Sequence, residues 1–227
     1  EPRESESIIA SSPVGNLSQA GEGMHAIDLS YPGLRLVHRH PHVFEVPDFF
    51  TPEECEAIRR LADEEPLYDW QLAGHGSLSK RTSRVVLSAE MPSAIPQKLE
   101  SLLQGPRTRL EHCILLRYLP GERYPPHLDE STGGSNHSTR LATTSSGGLS
   151  VRLATLFVYL NDVPKGGETA FTKIGISVKP RAGTAVVHFP ASMASVADEL
   201  TEHESMPVEE GEKFLFATWM WKDPRIS

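Results

Sequence analysis

Four short runs constrain this chain more than anything else in it: CILLRYL at 113–119, LATLFVYL at 153–160, TAVVHF at 184–189 and FLFATWMW at 214–221. Each is rich in β-branched or aromatic residues and is set off by Gly/Pro turns, which is how strands read. Several are apolar at successive rather than alternate positions, so both of their faces must be covered. Strands of that kind, gathered in one half of a chain, predict a β-sandwich or barrel there.

The other half reads differently. VFEVPDFF at 43–50 alternates loosely and predicts a strand leading into a helix. Thr51-Pro52-Glu53-Glu54 announces that helix: Thr51 suits the N-cap, Pro52 the first turn, and Glu54 closes a capping box. Ala57, Ile58 and Leu61 supply its apolar stripe. A second helix is expected over 93–103, stopped by Gly105-Pro106. Helices first and strands after give an α+β chain, mainly β. At 227 residues one domain with tails is the default. Residues 1–30 mix Ser, Gly, Pro and Glu without periodicity and read as a flexible lead-in, leaving 31–227 as the domain. Within it, STGGSNHSTRLATTSSGG at 131–148 is too polar to bury and too long for a tight turn. It reads as a mobile loop, either a lid or substrate loop or a disordered stretch.

Composition excludes rather than assigns. With 22 Lys and Arg against 30 Asp and Glu, the net charge of −8 argues against a bulk nucleic-acid binder. No apolar run approaches the ~18–20 residues of a membrane span. Residue 1 is glutamate, so the chain is expected to be a processed or cloned fragment, and the missing leader says nothing of a precursor. Cys55 and Cys113 form no framework and read as packed thiols, which leans toward a reducing, cytoplasmic compartment. Two sequons, at Asn16 and Asn136, point instead to a lumen such as the endoplasmic reticulum. The compartment and the oligomeric state stay open.

Chemistry enters with YPPHLDES at 124–131. In an extended strand, residues two apart share a face, so His127 and Asp129 aim an imidazole and a carboxylate at one point, about 6–7 Å of backbone apart. They are two-thirds of the 2-His-1-carboxylate triad of non-haem Fe(II) oxygenases. His203 sits where a third ligand from another strand is needed, and Lys213 lies ten residues later, past a turn at Glu210-Gly211. A lysine entering an apolar strand needs an anion, and the carboxylate of a small diacid would serve.

From about His42 to the C-terminus, VFEVPDFFTPEECEAI, the RTS of 81–83, LRYLPGERYPPHLD, RLATLFVYLNDVPKGGETAF, VKPRAGTAVVHF and HESMPVEEGEKFLFATWMW follow one another in order. In that set the chain resembles the prolyl 4-hydroxylase branch of the Fe(II)/2-oxoglutarate-dependent dioxygenases. The resemblance implies a double-stranded β-helix, a jelly-roll core supported by N-terminal helices. It implies His127, Asp129 and His203 as iron ligands and as the catalytic centre. Lys213 and Tyr118 would grip the distal carboxylate of 2-oxoglutarate, Thr155 would line that pocket, and Tyr124 and Trp219 would lie near the substrate proline. The expected reaction uses dioxygen, with ascorbate as reductant, releases succinate and CO2, and yields 4-hydroxyproline in a peptide or protein. The same chemistry on another amino acid or small molecule, and a catalytically silent peptide-binding barrel, are the alternatives. The long segment after Asp129 and ASMASVADELTE before His203 depart from the pattern and bear on substrate choice.

Other histidines read as structural. His38, His40 and His42 lack an acidic or thiol partner, His112 carries no partner signal, and His188 sits mid-strand as a packed or hydrogen-bonded ring, the one rival to His203. Gly166-Gly167 reads as a tight turn.

Overall fold

In the computed structural model, residues 26–64, 94–129 and 149–224 are described, with the strands Ser12–Pro13, Tyr68–Asp69, Arg84–Leu87 and Ala142–Thr143. The RTS of 81–83 and most of the 131–148 loop lie outside the described residues. The part of that loop inside them is not irregular: Ala142–Thr143 pairs antiparallel with Leu149–Ser150.

Two antiparallel sheets face each other. The larger runs, in spatial order, through Ser12–Pro13, Arg35–Arg39, His42–Val46, Ala185–His188, Arg152–Tyr159, Lys213–Trp221, Ile114–Tyr118, Arg84–Leu87 and Tyr68–Asp69. The smaller runs through Ile176–Val178, Thr169–Phe171, His203–Ser205 and Tyr124–His127. Neighbours far apart in sequence, such as the 152–159 and 213–221 strands, are the wound pairing of a jelly roll.

Alternation along the central strands explains their continuous apolarity. Ala154, Leu156 and Val158, with Phe214 and Phe216, face a core shared with the two helices. Phe157 and Tyr159, with Leu215 and Ala217, face the barrel interior. Both faces are therefore buried, as the four runs required. The same parity turns Thr155, Lys213 and Trp219 inward, because side chains two apart share a face.

The first helix (α1, Pro52–Glu64) starts on the expected box: Glu54 N donates to Thr51 Oγ1 at 3.2 Å and Thr51 N to Glu54 Oε2 at 2.8 Å. The second (α2, Ala94–Leu103) buries Ile95, Leu99, Leu102 and Leu103. Lys98 ties the two together, donating to Glu54 Oε2 at 2.5 Å and to Phe49 O at 3.1 Å. Packing begins earlier than the lead-in boundary at residue 30. Ala26 and Ile27 are buried in the helical core, and Asp28 N donates to Leu102 O at 2.8 Å. A two-residue apolar patch is too short to show as periodicity, yet it suffices to cover one side of α2. No described helix is long and apolar enough to cross a membrane.

Candidate active site

The short strand Tyr124–His127 is an edge of the smaller sheet, where Pro125 and Pro126 withdraw no hydrogen bond from a neighbour. His127 lies directly across from His203 on the adjacent strand. The strand ends at His127, so Asp129 comes from the bend after it rather than from a continuing strand. The three residues nevertheless converge, with one ligand atom from each all within 4.8 Å of one another. His127 Nε2 is 3.7 Å from Asp129 Oδ1, and His203 Nε2 is 3.8 Å from Asp129 Oδ2.

Both histidines are oriented through their other nitrogen. His127 Nδ1 donates to Pro125 O at 2.9 Å and His203 Nδ1 to Thr201 O at 3.1 Å. A carbonyl can only accept, so each Nδ1 carries the proton and each Nε2 presents a lone pair to the centre. Burial, then the neighbouring His127, pushes the His203 imidazole down to about 3, which keeps it neutral. Burial works to raise the Asp129 carboxyl, but His203, His188 and His127 outweigh it and hold the group well below the usual carboxylate range. Two imidazole nitrogens and one carboxylate form a donor set suited to a divalent transition metal. Ligands about 2.1 Å from an ion at right angles stand about 3 Å apart, so the two histidine–carboxylate separations of 3.7 and 3.8 Å would close by under about 1 Å, and no pair by more than about 2 Å.

The second centre lies deeper. Lys213 is fully buried and lies directly across from Tyr118. Its Nζ donates to Gly167 O at 2.7 Å and Ser205 Oγ at 2.5 Å, and stands 4.8 Å from the centroid of the Tyr118 ring. Gly167 is more than a turn residue. Its φ of +74° lies in the left-handed region that favours glycine, and its carbonyl is the one the ammonium reaches. Burial pulls Lys213 down to about 7, with Glu168 opposing. Among the described residues the buried ammonium has two neutral acceptors and no ion pair, with only the field of Glu168 to offset it, and a carboxylate fits there. His203 and Ser205 alternate on one strand, about 6–7 Å apart. A five-carbon diacid can bridge such a gap between metal and ammonium.

The remaining expected residues fall in two places. Tyr124 stacks on His127, centroids 3.8 Å apart. Trp219 is half-buried near the metal end, with Arg152 Cζ 4.0 Å above its ring. Thr155 is at the metal end too: its hydroxyl donates to Asp129 Oδ2 at 2.7 Å. Tyr159, whose ring lies 5.7 Å from Lys213 Nζ, is four residues or about 13 Å farther along the strand. The Lys213 ammonium therefore has Tyr118 and Ser205 beside it, while the Thr155 hydroxyl is engaged at Asp129.

Sequence reasoning missed three residues. Ser205 carried a signal, since it shares a strand face with His203. Arg152 opens an apolar strand, forks onto Glu111 at 2.9 and 3.0 Å, and reaches the carbonyl of Asp129 at 3.4 Å. His188, read as a packed ring, is packed against Asp129 itself, Nε2 to Oδ2 3.5 Å.

Residues 113–221 match the family described as the 2OG-Fe(II) oxygenase superfamily. Prolyl 4-hydroxylase 13 of Arabidopsis thaliana is 27% identical over 205 residues, covering 80% of this chain and 71% of that protein. Prolyl 4-hydroxylase 1 of the same plant is 30% identical over 203 residues, covering 79% and 69%. Among solved structures, the viral collagen prolyl hydroxylase of Paramecium Bursaria Chlorella virus-1, a 2OG complex, superposes with a TM-score of 0.60. It shares 24% identity and covers 79% of this chain and 95% of that one.

Proposed function

The chain belongs to the 2OG-Fe(II) oxygenase superfamily and, within it, to the prolyl 4-hydroxylases; on that premise we propose that it hydroxylates prolyl residues in an extended peptide or protein segment. One observation carries the reading. Three metal-type ligand atoms meet within 4.8 Å at one level of the barrel, and a fully buried lysine with no ion pair among the described residues lies at the next.

His127, Asp129 and His203 would hold Fe(II). Bound there with 2-oxoglutarate and dioxygen, it supplies oxidative decarboxylation to succinate and CO2, coupled to hydroxylation of an unactivated C–H bond. Everything else is the protein's work. The Nδ1–carbonyl hydrogen bonds lock both imidazoles in the ligating tautomer. The Thr155 hydroxyl fixes the Asp129 carboxylate. Lys213, steadied by Gly167 O and Ser205, pairs the distal carboxylate, with the Tyr118 ring alongside. Phe157, Leu215 and Ala217 line the barrel around these groups and keep water out. Tyr124 and Trp219 flank the metal end, where they would receive a substrate proline. A proline-rich chain in polyproline II form has no internal hydrogen bonds to break and suits an open groove there. Ascorbate would serve as the reductant that restores Fe(II).

Turnover of 2-oxoglutarate to succinate on a panel of proline peptides, with product mass spectrometry, tests the proposal. Succinate release coupled to a 16 Da gain on proline is expected, and it should vanish in His127→Ala. Coupled oxidation of another residue or of a free amino acid would overturn the prolyl assignment and keep the chemistry. An iron-loaded, folded protein that turns over no 2-oxoglutarate with any peptide would overturn both.

A further inference from the structure

His188 closes the Ala185–His188 strand with its ring fully buried. Among the described residues neither ring nitrogen has a hydrogen-bond partner, and burial withdraws both from water. An apolar ring would avoid that loss, and one stands beside it: Phe171, edge to face at 5.3 Å. The polar ring is therefore expensive where it is, and what it faces gives the reason. Its Nε2 is 3.5 Å from Asp129 Oδ2, the oxygen that already accepts the Thr155 hydroxyl. Thr155 is the residue directly across the strand pair from His188. Two neighbouring strands thus aim one donor each at Oδ2, which also stands 3.8 Å from His203 Nε2, while Oδ1 stands 3.7 Å from His127 Nε2 and takes neither donor. His188 itself lies outside the three-residue set whose ligand atoms meet within 4.8 Å.

We infer that His188 is a positioning residue. With a metal in place it would donate Nε2–H to Oδ2 of Asp129 and, with Thr155, restrict that carboxylate to binding the metal through Oδ1 alone. Carboxylates bind cations through one oxygen or two. A two-oxygen mode would occupy a further position on an octahedral ion, and the facial triad works because three positions stay open. A small rotation of ring or carboxylate brings 3.5 Å to hydrogen-bond length, about 2.9 Å. The inference rests on the proposed metal site, so its test must separate the two.

Co(II), loaded without oxygen, is the probe; its affinity and its visible d–d bands report ligand number without turnover. His188→Phe keeps the shape and removes the donor, while His188→Gln keeps an N–H donor. The wild type and His188→Gln are expected to share one band pattern. His188→Phe should bind Co(II) about 10–100-fold more weakly with altered bands. Its apo form should melt no lower than the wild type, because no formed hydrogen bond is lost. Adding Thr155→Val to it should be non-additive, since both donors act on one oxygen. If His188→Phe does not fold, His188→Leu, which also removes the donor, takes its place in the same comparison. Unchanged affinity and bands in His188→Phe would overturn the role. So would nitrogen hyperfine coupling showing His188 bound to the metal. A wild-type protein that takes up no Co(II) would sink the metal site itself, a different failure.

Discussion

Lys213→Met should move stability and cosubstrate binding in opposite directions. The substitution keeps most of the side-chain volume and removes the charge. In the apo chain Lys213 titrates at about 7 against an ordinary value of 10.5, because burial disfavours its ammonium. The unfolded chain therefore binds more protons between those two pH values, and wild-type stability rises as pH climbs from 7 toward 10.5. Below pH 7 the full cost of the buried charge is present, at about 1.4 kcal/mol per pH unit between the folded and unfolded values. Removing the ammonium relieves that cost but orphans Gly167 O and Ser205 Oγ, at about 1–2 kcal/mol each. The balance at pH 6 is a gain of about 1–3 kcal/mol for Lys213→Met. Near pH 10, where the folded lysine is neutral and the unfolded one still mostly charged, the penalty has shrunk to under about 1 kcal/mol, so the orphaned groups outweigh it and the variant becomes the less stable protein. Binding has no such crossover. Truncating one partner of a buried, hydrogen-bonded charge pair costs about 2–5 kcal/mol, so 2-oxoglutarate affinity should fall at least ~30-fold. Thermal melts of both apo proteins at pH 6 and 10, with calorimetric titration of 2-oxoglutarate into the Mn(II) form, make the test. Affinity within threefold of wild type, or a variant less stable at both pH values, would refute the reasoning.

Asp129→Ala should abolish the thermal upshift that Co(II) gives the wild type, about 2.7 kcal/mol at a hundred times Kd, read by melting with and without metal. Glu111→Ala leaves Arg152 without its fork in a nearly buried site and should destabilise by about 3–5 kcal/mol, with Glu111→Ala/Arg152→Met recovering much of it in urea unfolding. Thr51→Ala removes the N-cap of α1 and should cost about 1 kcal/mol, a fall of about 2–4 °C in Tm. Burial pushes the Cys113 thiol up to about 11, so at pH 8 it should react with a disulfide reagent only once the chain unfolds.

Patterns local in the chain were legible before any coordinates. The capping box at Thr51–Glu54 formed as read, because its hydrogen bonds span three residues. The four apolar runs became strands covered on both faces. His127, Asp129, His203 and Lys213 stood out because each is a costly residue at a strand end or inside an apolar run. The lead-in boundary failed at Ala26 and Ile27, whose burial depends on a helix some seventy residues away.

What the amino-acid order determined by itself was which residues alternate onto which face, since that parity is fixed by backbone geometry within one strand. It turned Thr155, His203, Ser205 and Lys213 inward. What only the tertiary structure decided was which inward side chains meet. Thr155 pairs across with His188 and not with the Lys213 level, and Ser205 rather than Thr155 reaches the ammonium. Those meetings depend on register within one sheet, Thr155 against His188, and on how the two sheets face each other, Ser205 against Lys213. No local periodicity encodes that register; it is set where the whole barrel closes on its own side-chain volumes.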